Sequence, residues 1–351
     1  MTDMARHAVS FGPSSEVVDT IAAGAFFVPP SPCNVYGWSS TGSGVPRWNW
    51  TLPNCDASLL YDEYRNIAIS DDGSTAVFSA YVPQGQSGIP LLVAFNAQTG
   101  KELFRKGAAD AGAGAGTVGL SVNGSFITWS TANGIVVYDG KGAKRTTVAA
   151  EGPNEISDSG DFVATCTENN ARVWAFDGSN GAYAQKFSFT PPANPASNTW
   201  FCVDVAMSSD GSGAEDSELV SFAWISGDVL TARVTTYSMV TGKVVIDWRS
   251  ATHAQLQTNP TVRMDGNYVG TALWGDSDDV PTAVVLKAGS NTPVFTYTTP
   301  GSMFGVDIVV DHAACTPTND VLYFAVAGKH TPANVMGNGG DAFAWRINVP
   351  K

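Results

Sequence analysis

Residues 65–106 read RNIAISDDGS (65–74), TAVFSAYV (75–82), IPLLVAFNAQTG (89–100) and KELFRK (101–106). Four short runs rich in Val, Phe, Ile, Leu and Tyr are separated by turn-forming residues, which is strand length and strand composition. Ser70-Asp71-Asp72-Gly73 and Asn96-Ala97-Gln98-Thr99-Gly100 are the turn signals. Short polar side chains there bond nearby backbone amides, and Gly takes positive φ without strain. The runs are nearly continuous in apolar residues rather than alternating, so both faces of the sheet they form are covered.

Weaker copies of this unit fill the chain. They fall at about 14–55, 65–106, 115–149, 150–190, 199–249, 258–298 and 302–349. A four-stranded antiparallel sheet packed between copies of itself is a propeller blade. Seven units in 351 residues average about 50 each, within the range of propeller repeats. The expected fold is all-β: one domain, 1–351, a seven-bladed β-propeller of four-stranded antiparallel blades. The last unit offers three runs, MFGVDIVV, VLYFAVAG and DAFAWRINV, and the N-terminal HAVSF (7–11) is a spare strand. The expectation is that HAVSF pairs beside DAFAWRINV, so that N- and C-terminal strands close the ring and remove an exposed edge. No helix signal and no domain linker are found.

Apolar residues make up 44% of the chain and charged residues 15%, with a net charge of −13. So acidic a chain lacks the positive field that a phosphate backbone requires, which excludes nucleic acid as a partner. No apolar run has the length of a membrane-spanning helix. The N-terminal MTDMARHAVSF lacks the apolar core of a signal peptide. The protein is therefore expected to be cytoplasmic, or secreted or surface-bound if a signal has been removed. The five cysteines form no C-x-x-C pair, so zinc and redox motifs are unsupported. Cys33 and Cys55 are symmetric about a hairpin turn near 41–44, which predicts a disulfide between them, with two buried free thiols as the alternative.

Ala94-Phe95-Asn96-Ala97-Gln98-Thr99-Gly100-Lys101-Glu102-Leu103-Phe104 resembles the A-x-D-x-x-T-G-x-x-x-W repeat of quinoprotein alcohol-dehydrogenase-like propellers. Weaker matches are Ser238 to Lys243 before Trp248, and Ser40-Thr41-Gly42 before Trp48. The openings Ser-Asp-Asp-Gly (70–73) and Ser-Ser-Asp-Gly (208–211) look like those of YVTN and TolB-type propellers. The resemblance implies the architecture. The cofactor and calcium pocket of true quinoproteins has no matching residues in this sequence.

The chemical motifs are sparse. Gly114-Ala115-Gly116-Thr117-Val118-Gly119 fits G-x-G-x-x-G, but a dinucleotide site needs a strand before it and a helix after it. Here an Ala/Gly stretch precedes it, and an inter-blade loop is the better reading. Asp276, Asp278 and Asp279 cluster in WGDSDDVP. Calcium is the metal such carboxylates would take, against a solvated turn as the plainer reading. No other metal ligand set and no cofactor motif is identified. Asn49-Trp50-Thr51 and Asn123-Gly124-Ser125 are glycosylation sequons.

With no catalytic set legible, the favoured function is a binding or scaffold module that recognises a protein, peptide or glycan through the loop face at the channel mouth. A propeller enzyme of the quinoprotein, lactonase or cyclotransferase type is one alternative, and a structural surface or secreted protein the other. In a propeller the second-to-third and fourth-to-first loops share one face. On the unit boundaries above, that face holds most of the long loops, where binding residues concentrate. Its aromatic and ionisable residues are the expected ligand contacts: Tyr61, Asp62, Tyr64, Arg65, Trp200, Trp274, Asp276, Asp278 and His330.

Overall fold

The computed structural model describes residues 4–9, 19–25, 31–39, 45–55, 67–70, 73–84, 87–112, 115–121, 123–167, 170–191, 199–209, 214–215, 217–228, 230–252, 260–274, 280–329 and 340–351. The chain is all-β and builds seven antiparallel sheets, each meandering in sequence order. Blade 1 is Met4–Val9, Asp19–Ala25, Ser31–Ser39 and Trp48–Cys55. Blade 2 is Ile67–Ile69, Thr75–Gln84, Ser87–Asn96 and Glu102–Lys106. Blade 3 is Ala115–Leu120, Phe126–Thr131, Gly134–Asp139 and Lys144–Val148. Blade 4 is Asn154–Ile156, Phe162–Thr167, Asn170–Asp177 and Ala182–Phe189. Blade 5 is Trp200–Ser209, Glu218–Ser226, Ala232–Ser238 and Val244–Arg249. Blade 6 is Pro260–Asp265, Tyr268–Leu273, Ala283–Lys287 and Phe295–Tyr297. Blade 7 has three strands among the described residues: Met303–Val310, Asn319–Lys329 and Gly340–Pro350. The fold is the seven-bladed β-propeller read from the repeats.

Two expectations are corrected. The N-terminal run belongs to blade 1, not blade 7: Met4–Val9 pairs antiparallel with Asp19–Ala25, from Met4↔Ala25 to Val9↔Thr20. Pairing with a neighbour in sequence closes a short loop, whereas pairing with the C-terminal strand closes one spanning nearly the whole chain, and loop-closure entropy grows with length. Residues 115–120 of the glycine-rich stretch form the first strand of blade 3 rather than a loop. A single-turn helix also occurs, Ala108–Ala111, between blades 2 and 3.

The turns explain why the unit repeats. In blades 2, 3 and 4 the turn from first to second strand opens with a serine. Gly73 N–H donates to Ser70 O, Gly124 N–H to Ser121 O and Gly160 N–H to Ser157 O. The same serine Oγ accepts the amide five residues on, from Thr75, Phe126 and Phe162, each at 3.0 Å. The turn from third to fourth strand of blade 2 uses the Asn-x-x-Thr-Gly motif. Asn96 Oδ1 accepts Thr99 N–H at 3.0 Å and Thr99 Oγ1–H at 2.8 Å, and Gly100 N–H donates to Asn96 O at 2.8 Å. Ser238 Oγ repeats the role for Val240 and Thr241. The motif is thus turn chemistry, an oxygen-bearing side chain substituting for backbone.

The chain divides into two compact units. One comprises Asp3–Thr165 with Trp174–Gln185, and the other comprises Cys166–Val173 with Lys186–Lys351, together with residues 1–2. One contact recurs between several neighbouring blades. A large side chain from the fourth strand packs on the third-strand ring or turn of the next blade. In the first unit Trp50 lies edge-on to Phe95 at 5.2 Å, and Trp48 Nε1 donates to Ala97 O at 2.8 Å. Lys106 Nζ sits 5.4 Å from the Tyr138 ring, and Arg145 lies 3.6 Å from the Phe176 ring. In the second unit Phe189 stacks on Tyr237 at 4.0 Å, and Tyr297 packs 5.1 Å from Trp345. The turn glycines make room for these groups. Gly100 has φ +68°, and a Cβ there would lie 2.5 Å from Trp48 Cδ2. Each ring pair contributes about 0.5–1.5 kcal/mol beyond its buried area.

Candidate functional site

Blade 5 brings four strand ends together around Trp200. Trp200 opens the first strand and stands opposite Ser226, the last residue of the second. Arg233 near the start of the third strand stands opposite Arg249 at the end of the fourth. Cross-strand partners share a face of the sheet, so both arginines lie on the same side. Their guanidinium carbons sit 5.6 and 5.4 Å from the Trp200 ring centroid. Trp200 is 4% exposed, and its indole N–H is buried with no hydrogen-bond partner among the described residues.

The two arginines differ in circumstance. Arg233 is buried and held by Asp247 in a two-point fork, Nε to Oδ1 at 2.7 Å and Nη2 to Oδ2 at 2.6 Å. Its charge is thereby matched by a carboxylate that is itself exposed. Arg249 is exposed at the blade end. Nearby, Asp228 accepts Ser226 Oγ–H at 2.5 Å and Leu230 N–H at 3.1 Å. The Ser226 hydroxyl, opposed by partial loss of hydration and aided by backbone amides and Arg249, holds the Asp228 carboxyl below its ordinary range. The result is a buried indole with two guanidinium groups within cation–π distance of its ring, one of them on an exposed residue.

Beneath this end, the Cys202 sulfur on the first strand is bonded to Cys166 on the second strand of blade 4. This bridge was not anticipated. Cys33 and Cys55, expected to face each other, are not direct cross-strand partners: Cys33 pairs with Leu52 and Cys55 with Ser31, across a register shift. Their side chains lie outside the described residues.

A second polar arrangement runs along the first strands of blades 5, 6 and 7. Asp204 accepts Val262 N–H at 2.9 Å and lies 3.6 Å from Arg263 Nη1. Asp265 accepts Val310 N–H at 2.6 Å. Each carboxylate therefore satisfies an amide on the first strand of the next blade, an edge that carries no sheet partner of its own. Asp307 bonds the adjacent Ile308 N–H. Loss of hydration, only partly offset by Arg263 and reinforced by Asp265, pushes its carboxyl up to about 7. Loss of hydration also raises Asp265, against its bond from Val310. A sequence signal for two of the three exists. Phe201-Cys202-Val203-Asp204-Val205 and Phe304-Gly305-Val306-Asp307-Ile308 share the pattern F-x-V-D-[V/I], and each stretch contains a register shift, between Cys202 and Asp204 in one and between Met303 and Gly305 in the other.

Of the nine sequence-predicted contacts, the structure places two. Trp200 is at the arginine site. Trp274 is half-buried and follows the second strand of blade 6, at the same end of its blade. Tyr61, Asp62, Tyr64, Arg65, Asp276, Asp278 and His330 lie outside the described residues. Among the described residues no three His, Cys, Asp or Glu side chains are grouped as a metal site. Asn49 and Asn123 are both exposed. Asn123 Oδ1 accepts Ser121 Oγ–H and Ser125 N–H inside a hairpin turn.

No protein-family model matches the sequence, and no curated protein matches it significantly. Solved structures match its fold. Saccharomyces cerevisiae Sqt1 aligns over 100% of this chain and 99% of its own, at 12% identity and a TM-score of 0.54. Kluyveromyces lactis Hsv2 with complete loop 6CD aligns over 93% of each chain, at 12% identity and a TM-score of 0.53. Both are β-propellers. At that identity the likeness is one of fold.

Proposed function

We propose that the chain is a binding module for a protein, peptide or glycan, docking at the blade ends that carry the second-to-third loops. The observation that carries this reading is the exposed Arg249 guanidinium 5.4 Å from the ring of a buried Trp200, beside Arg233 held by Asp247. Trp and Arg are the residues most enriched at binding hot spots, where a rigid anchor contributes more than many flexible contacts. Trp274 on blade 6 supplies further aromatic surface at the same kind of loop. The test is a tiled peptide array and a glycan array probed with wild type, Arg249→Ala and Trp274→Ala. Ligands retained by wild type and lost by both variants support the reading. Identical ligands and signals for all three proteins refute it.

A secreted or surface protein is the second reading, and the Cys166–Cys202 bridge favours it, since disulfides persist in oxidising compartments. Expression through a secretory pathway tests this together with glycan occupancy at Asn49 and Asn123. Calcium at Asp276 and Asp278 is a separate proposal, tested by calorimetric titration of calcium into metal-stripped protein. The quinoprotein and YVTN kinship is proposed at the level of repeat ancestry, since the matched residues here perform turn chemistry.

A further inference from the structure

Blade 7 carries a strand edge that the other six blades cover. In each four-stranded sheet the third strand lies between two neighbours. In blade 7 the third strand, Gly340–Pro350, ends its sheet, and among the described residues no strand lies along its outer edge. At 11 residues it is as long as any strand described. It pairs with Asn319–Lys329 residue by residue from Gly340↔Lys329 to Pro350↔Asn319 without a register shift. Proteins ordinarily blunt such an edge with a bulge, a lysine or a proline. Here the proline stands at the strand's last position.

Beside that edge lies an aromatic ladder. Phe343 and Trp345 stack at 6.0 Å, nearly parallel, and Tyr297 lies 6.0 Å from Phe343 and 5.1 Å from Trp345. Phe295 closes the row at 5.2 Å from Trp345. Tyr297 is 42% exposed, while Phe343 and Trp345 are half-buried. In blade 4 the corresponding third-strand ring, Phe176, is flanked by Tyr183 from that blade's own fourth strand at 5.2 Å. Blade 7 has no such flanking strand among the described residues. On the opposite face of Gly340–Pro350, Ala342, Ala344, Arg346 and Asn348 are exposed, and Arg346 has no ion pair among the described residues.

We propose that this edge is a docking site for an extended segment of a partner protein, which adds the fourth strand of blade 7. Main-chain bonds along the free edge supply affinity, and pockets for alternate side chains supply selectivity. The two faces define the segment's chemistry. Alternate apolar residues cover Tyr297, Phe343 and Trp345, and an acidic residue on the other face meets Arg346. This site uses different residues from the Trp200–Arg249 site and stands or falls independently of it.

The probe is a synthetic, end-capped, fluorescent peptide of about nine residues, a length that spans most of the edge. It has Val at alternate positions, Thr between them and one central Glu. Fluorescence anisotropy measures binding to the full chain, and amide hydrogen exchange locates it. The expected result is saturable binding that slows exchange within 341–349 and is lost when alternate peptide amides are N-methylated. Arg346→Glu, an exposed substitution whose folding is checked by circular dichroism, weakens binding by about fivefold. Absence of binding, equal binding of the N-methylated peptide, or slowed exchange elsewhere overturns the proposal. Slowed exchange in 341–349 that grows with protein concentration and needs no peptide means a second copy occupies the edge, and likewise overturns it.

Discussion

Removal of the Cys166–Cys202 bridge is the sharpest test of how blades 4 and 5 are joined. The bonded cysteines are 36 residues apart in sequence. A crosslink over a loop of that size removes unfolded-chain entropy worth about 4 kcal/mol at room temperature on the loop-closure relation. With about 2.1 cal/mol/K of unfolding entropy per residue over 351 residues, that loss lowers Tm by about 5 °C for a single transition. If the unit containing the bridge melts separately, the smaller cooperative size roughly doubles the shift. The perturbation is Cys166→Ala with Cys202→Ala, compared with wild type by urea unfolding and calorimetry, in oxidising and in reducing buffer. In oxidising buffer the variant is less stable by about 4 kcal/mol. In reducing buffer the two proteins converge to within the small packing loss of two buried sulfurs. Non-reducing peptide mapping shows the two cysteines in one linked pair. Alkylation of both thiols in unreduced protein, or equal stabilities in oxidising buffer, refutes the reasoning.

Three further outcomes follow from the structure. Asp307 has a folded pKa raised to about 7, so the folded state binds a proton that the unfolded state releases near pH 4. Its stabilising contribution is complete at low pH and is lost as pH rises through about 7, an amount on the order of 2–3 kcal/mol between about pH 5 and pH 8. Asp307→Asn flattens that slope in urea midpoints, and an unchanged slope contradicts the placement of the carboxyl. Gly100→Ala, at φ +68° and against the Trp48 ring, destabilises by about 1–3 kcal/mol. A loss of less than about 0.5 kcal/mol would show that the turn and ring relax freely. Arg249→Ala leaves stability nearly unchanged, because an exposed cation contributes little, while Arg233→Ala lowers stability by about 1–3 kcal/mol through loss of the fork with the exposed Asp247. Equal losses for the two would contradict their assigned roles.

The sequence by itself determined the unit and its turns, because both are local. A run of four to eight apolar residues is a strand wherever it sits, and Ser-x-x-Gly or Asn-x-x-Thr-Gly closes on its own backbone within five residues. Hence the propeller was legible. What the tertiary structure decided was every pairing between units. The strand Met4–Val9 had equivalent edges available in blades 1 and 7, and no composition rule distinguishes them; loop entropy does. Cys166 on the second strand of blade 4 is bonded to Cys202 on the first strand of blade 5, a proximity invisible at a separation of 36 residues. Arg233, Arg249 and Asp247 join Trp200 through cross-strand register, and a one-residue slip would have sent them to the other face. The recurring F-x-V-D pattern was written in the chain, but its meaning was not. Asp204 within it caps the Val262 amide of the next blade, whereas Asp307 bonds its own neighbour Ile308, and Asp265, outside the pattern, caps Val310; only the packed blades separate these roles.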